Sequence, residues 1–105
     1  MVYKIRNLPS AACDSEGIVD YLVQVLGSKK AASRFKADLR NCHKLLREHP
    51  LMYPVCSAER LAARSFRIAP VMSYIAFYKV DEKKKIVWIH RIMHGTMDHT
   101  QQNMD

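Results

Sequence analysis

Tyr74-Ile75-Ala76-Phe77-Tyr78-Lys79-Val80, a polar break Asp81-Glu82-Lys83-Lys84, and then Lys85-Ile86-Val87-Trp88-Ile89-His90-Arg91-Ile92-Met93 form the stretch that decides the fold of this 105-residue chain. Aromatic and β-branched residues crowd both segments, as strands favour. Alternation with period two places Tyr74, Ala76, Tyr78 and Val80 on one face and Ile75 and Phe77 on the other. A break this short makes the segments antiparallel neighbours. Because both faces are apolar, both strands are expected near the centre of a sheet, at least partly covered on each side. Upstream, Arg64-Ser65-Phe66-Arg67-Ile68-Ala69 reads as a further strand, with Phe66 and Ile68 opposite Ser65 and Arg67.

Working outward, Val2 to Leu8 is a short strand candidate. Leu8-Pro9-Ser10 ends it and opens a helix, since proline suits a first turn and serine can cap. Asp14 and Glu16 suit the positive end of that helix's dipole. Ile18, Tyr21, Leu22 and Val25 fall on one apolar face, and Gly27-Ser28 closes this helix and caps the next. The second helix is predicted over Lys29 to Glu48, with Phe35, Leu39, Cys42 and Leu46 as its buried stripe. His49-Pro50 and Tyr53-Pro54 stop it, and a turn of helix is expected near Ala58-Glu59-Arg60-Leu61. The order is strand, αα-hairpin, then a three-stranded antiparallel meander. It predicts an α+β fold with the helices packed on one face of a mostly antiparallel sheet. The opposite face is then the natural working surface. Residues 1–98 read as a single domain, and residues 99–105 as a polar tail expected to fray.

Composition narrows the class. The net charge of +7 is spread over both halves, with nine bases and five acids in residues 1–50 and eight and five in 51–105. There is no basic tail, and the diffuse excess steers acidic or polyanionic partners without choosing one. Cys13, Cys42 and Cys56 lie far apart in odd number, which predicts reduced thiols rather than a disulfide framework. The first residues lack the apolar core of a signal peptide, and no stretch approaches the ~20 apolar residues of a membrane helix. A cytoplasmic protein without membrane partners is expected.

Four groups of residues invite chemistry. His90 and His94 have metal-ligand spacing on a helix, but on a strand they stand ~13 Å apart, beyond the reach of one ion. No metal or cofactor is expected. A turn at Gly95 brings His94 towards Asp98, an arrangement that sets a tautomer for acid–base work; the plainer alternative is polar residues around a strand end. Arg64, Arg67 and Arg91, with Lys79 between them, grip phosphate or carboxylate if their strands converge. Cys42-His43 is rejected as a catalytic pair, because adjacent helical residues diverge and Cys42 belongs to the apolar stripe.

The ordered combination of Tyr74-x-x-x-Tyr78 with Arg91-x-x-His94-Gly95-x-x-Asp98, behind Tyr3-Lys4-Ile5 and Leu45-Leu46-Arg47-Glu48-His49-Pro50, resembles the RelE/ParE family. These are toxins of bacterial type II toxin–antitoxin (plasmid stabilisation or addiction) modules. The resemblance spans nearly the whole chain, and implies a growth inhibitor bound by a cognate antitoxin whose C-terminal segment wraps the sheet face and helices. Its RelE-type branch cuts messenger RNA on the ribosome and places arginine after the first tyrosine, where this chain has Ile75. That branch also has bases after the glycine, where this chain has Thr96-Met97, and a second base near Arg67, where it has Ala69. The ParE-type branch, linked with inhibition of DNA gyrase, is nearer. The resemblance therefore implies a binder of gyrase type, with Arg64, Arg67, Arg91, His94 and Asp98 facing target or antitoxin. The alternative is an mRNA endoribonuclease in which Arg67 and Arg91 hold phosphate and His94 is the acid or base. A non-toxic interaction domain is the third reading.

Overall fold

The computed structural model describes residues 2–56, 59–95 and 104. Strand β1 (Lys4–Asn7) leads into helix α1 (Pro9–Asp20), which continues as a π-helical turn over Tyr21–Val25. Helix α2 (Lys29–Glu48), a single turn α3 (Glu59–Ala62), and strands β2 (Arg67–Val71), β3 (Tyr74–Asp81) and β4 (Ile86–His94) follow. The sheet order is β1-β4-β3-β2, with β1 parallel to β4 and the rest antiparallel. The expected α+β meander with its helix pair is therefore the fold observed.

Gly27, at φ +64°, ends the first helical arm, and the Ser28 hydroxyl accepts the Ala31 amide at 3.0 Å as the cap of α2. Phe35, Cys42 and Leu46 are buried as their spacing predicts. The first arm departs from prediction. Ile18 and Leu22 are buried, but Tyr21 and Val25 are exposed. Past Tyr21 the π turn, closed by the Leu26 amide on the Tyr21 carbonyl at 3.1 Å, rotates Val25 away from the α-helical stripe.

Ser10 does not cap α1, whose cap position is Leu8. Its hydroxyl donates instead to the His90 carbonyl at 2.9 Å. β1 covers the edge of β4 only as far as Ile89, and α1 takes over from there. The Leu8 amide reaches the Ile89 carbonyl, Ser10 the His90 carbonyl, and the Asp14 carboxylate the Ile92 amide at 3.0 Å. Side chains of a helix thus satisfy the groups that a longer strand would have paired.

The two faces of the sheet carry separate cores. Tyr74, Ala76, Tyr78, Val80, Val87 and Ile89 pack with the helices, and the buried Tyr78 hydroxyl donates to the Pro50 carbonyl at 2.9 Å. Phe66, Phe77 and Met93, flanked by Ile68 and Ile75, form a smaller core on the other side with Cys56, Leu61 and Met104. Alternation predicted this division on β3. On β4 the phase changes, because Phe77 pairs with Arg91 and Tyr78 with Ile89, leaving His90 as the extra residue of a bulge. That bulge lets both Ile89 and Ile92 face the helices.

The predicted strand at Arg64–Ala69 begins only at Arg67. Residues 61–66 instead close α3: the Phe66 amide bonds the Leu61 carbonyl, the Ser65 amide bonds the Ala62 carbonyl, and Ser65 sits at φ +62°. This is a Schellman closure with its hydrophobic contact between Leu61 and Phe66. Glycine usually marks that position, and here a serine fills it. Of the tail, Met104 is fully buried rather than frayed; the remainder of residues 99–105 lies outside the described residues.

Burial also sorts the thiols. Cys42 is buried and its pKa is pushed up to about 11 by desolvation, Cys56 is buried, and Cys13 is exposed. Iodoacetamide at neutral pH is expected to label Cys13 alone in the folded chain, and all three residues after denaturation. Mass spectrometry of tryptic peptides checks this, and rapid native labelling of Cys42 would contradict the packing.

Candidate functional site

The face of the sheet away from the helices gathers cations and aromatic rings. β1, β4 and β3 place Arg6, Trp88 and Lys79 side by side in one row, because Trp88 pairs with Arg6 on one flank and Lys79 on the other. Lys79 Nζ lies 4.9 Å from the centroid of the Phe66 ring, and Arg64 Cζ lies 5.1 Å from it. A buried ring between two cations holds them by its quadrupole and limits their freedom. The bulge residue His90 meets the same ring edge-on, centroids 4.8 Å apart at 88°. Its Nδ1 is 2.9 Å from the Met104 carbonyl oxygen. A carbonyl only accepts, so a neutral His90 carries its hydrogen on Nδ1 and turns a basic Nε2 the other way.

The other residues singled out in sequence are distributed elsewhere. Arg67 donates through Nη1 to the Tyr53 carbonyl at 2.7 Å and ties down the loop after α2. Arg91 makes a two-point contact with Asp14, Nε to Oδ2 at 2.6 Å and Nη2 to Oδ1 at 3.0 Å. Hydrogen bonding to Asp14 is the main cause of the raised Arg91 pKa. His94 stacks edge-on against Tyr74 at 5.4 Å, and Tyr74 in turn meets Phe35 of α2. His94 therefore lies on the helix side, lining a cavity of about 490 Å³ with Cys13, Tyr21, Tyr74 and Arg91. His90 and His94 sit on opposite faces and share no ion. Asp98, Thr96 and Met97 lie outside the described residues.

Of the four arginine and histidine candidates, Arg64 alone rests on the Phe66 ring; Arg91 pairs with Phe77 on β3, but its guanidinium is turned to Asp14. Lys79, grouped with Arg64 in sequence, stands beside it on the Phe66 ring, whereas Arg6, Trp88 and His90 were not joined to them. The alternation of β3 signals Lys79, but the row through Trp88 depends on a parallel β1–β4 register that no local pattern encodes. The role of Asp14 was also hidden, since in sequence it is merely an acid early in a helix.

Comparison with known proteins adds the family. The model of the ParE toxin of type II toxin–antitoxin systems matches residues 5–99, most of the chain. The chain belongs to the ParE toxin family. Among solved structures, the toxin–antitoxin complex RelBE2 from Mycobacterium tuberculosis is similar at TM-score 0.64 and 18% identity, covering 90% of this chain and 99% of that one. The chromosomal ParDE system of P. aeruginosa is similar at TM-score 0.69 and 21% identity, covering 89% and 96%. At these identities the likeness is one of fold. No curated protein sequence matches. Among the described residues of this ParE-family toxin, no helix is long and apolar enough to cross a membrane.

Proposed function

We propose that this chain inhibits growth by binding a protein target of the DNA gyrase class through the open sheet face, and that a cognate antitoxin neutralises it. The separation of His94 from Arg64 and Lys79 carries this reading, together with the engagement of its cavity neighbour Arg91 by Asp14. Cleaving RNA requires a base, an acid and phosphate-stabilising cations around one phosphate. Here Arg67 and Arg91 hold Tyr53 and Asp14, and His94 is across the sheet from Arg64 and Lys79. A flat row of Arg6, Trp88 and Lys79 suits an acidic protein surface, where arginine and tryptophan make strong contacts.

Induction of the chain in a bacterial host, followed within minutes by separate pulse-labelling of DNA and protein, tests the proposal. DNA synthesis is expected to fall first, with translation intact. Reversing both Arg64 and Lys79 to glutamate should weaken growth inhibition at least ~tenfold, because like charges then meet across the interface.

The ribonuclease reading keeps one observation of its own, the placement of His90 beside Arg64 and Lys79. It expects early arrest of translation, with cuts in ribosome-bound messages. It also assigns the acid–base role to His90, so His90→Ala would abolish cutting while His94→Ala would not.

A further inference from the structure

Among the described residues, one edge of the sheet is covered and part of the other is open. The outer edge of β2 is paired by the loop after α2, the Ile68 amide bonding the Pro54 carbonyl and the Cys56 amide the Phe66 carbonyl. Pro70 removes a further donor from that edge. β1 forms the other edge. Its parallel ladder uses the amides of Lys4 and Leu8 towards β4, so those of Tyr3, Ile5 and Asn7 point outward. Tyr3 is taken by the Arg47 carbonyl at 2.9 Å, which brings the end of α2 alongside. Among the described residues nothing takes the outward groups of Ile5 and Asn7.

A groove of about 780 Å³ runs beside this edge, lined by β1 and by Arg40, His43 and Arg47 of α2. Those three residues recur at i, i+3 and i+7, one stripe of the helix. With Lys4 and Arg6 they make the lining basic, and among the described residues no acidic one contributes to it. His43 Nε2 is buried and, among the described residues, has no hydrogen-bond partner. Burying such an atom unpaired is costly, and a ligand that pairs it removes the cost. Burial, aided by the Arg47 charge, lowers the His43 pKa, so at neutral pH the ring is neutral and offers one donor and one acceptor.

We infer that the β1 edge is a docking site for an extended acidic peptide segment of a partner protein, which adds as a fifth strand with its carboxylates on Arg40 and Arg47 and a polar group on His43 Nε2. Backbone pairing at Ile5 and Asn7 sets its register, and the basic stripe selects its charge. The site is on the sheet's outer edge, so the inference stands whichever target the open face takes.

A fluorescent eight-residue peptide of alternating valine and glutamate, titrated into the full chain by anisotropy, tests it. Amide hydrogen exchange followed by NMR locates the peptide. Binding should slow exchange at Ile5 and Asn7 at least tenfold. Arg40→Glu with Arg47→Glu, both exposed positions, should weaken binding at least tenfold while leaving the melting temperature unchanged. N-methylation of alternate peptide residues should cost a similar factor. His43→Phe, which removes the unpaired nitrogen, should raise the melting temperature yet weaken binding. Equal affinity for the N-methylated peptide would reduce the site to charge attraction and overturn the strand-addition inference. No binding, protection confined to other segments, or equal affinity for a valine–lysine peptide would overturn it as well.

Discussion

Replacing Asp14 by alanine is expected to cost this ParE-family toxin about 3 kcal/mol of stability, within the range for breaking a largely buried ion pair by removing one partner. The carboxylate serves two groups at once. It meets the Arg91 guanidinium at two points and accepts the Ile92 amide at 3.0 Å. The side chains of Arg91 and Asp14 are 21% and 17% exposed, so water only partly replaces what is lost. The loss also opens the part of the β4 edge that β1 does not reach. Arg91→Met should cost less, because the Ile92 amide keeps its acceptor. Urea unfolding of both single variants and the double variant separates the terms, and a coupling below ~0.5 kcal/mol would show that the pair is merely a surface contact.

Phe66→Ala is expected to have a comparable or larger effect, about 3–5 kcal/mol, the usual range for removing a buried aromatic side chain. Phe66 is fully buried at the centre of the smaller core, against Leu61, Phe77, Met93 and Met104. It is also the ring on which Arg64, Lys79 and His90 rest. Stability and activity are therefore coupled at this residue, and the milder Phe66→Leu separates them. Leucine retains most of the apolar contact at a cost of about 1–2 kcal/mol but gives the cations no ring face. Growth inhibition by Phe66→Leu should drop more than its folded fraction predicts. Inhibition that simply tracks the folded fraction, measured by thermal melts beside colony counts, would remove the ring from any role in binding.

The two faces of β3 illustrate how sequence and structure divide the work. Tyr74, Ala76, Tyr78 and Val80 separate from Ile75 and Phe77 by strand geometry alone, and they occupy different cores as alternation requires. The stripe of Phe35, Cys42 and Leu46 is equally local, as is the Gly27-Ser28 junction. Where those rules failed, a competing local geometry had no residue to mark it. The helix closure at Ser65 uses a left-handed residue that is not glycine, and the π turn at Tyr21–Val25 contains neither glycine nor proline.

The sequence by itself determined the class of the chain: an α+β fold, a helix pair on a meander, a basic composition, and the motif order that resembles its family. These follow from periodicities of two and 3.6 and from turn chemistry, all set by residues within a few positions of one another. Only the tertiary structure decided which cations stand together. Asp14 and Arg91 are 77 residues apart, and Arg6, Trp88 and Lys79 become neighbours through pairing across three strands. The bulge at His90 then turned that histidine towards Phe66 and left His94 on the helix side. Register and edge closure arise from packing of the whole sheet against its helices, and no local segment of this chain contains that information.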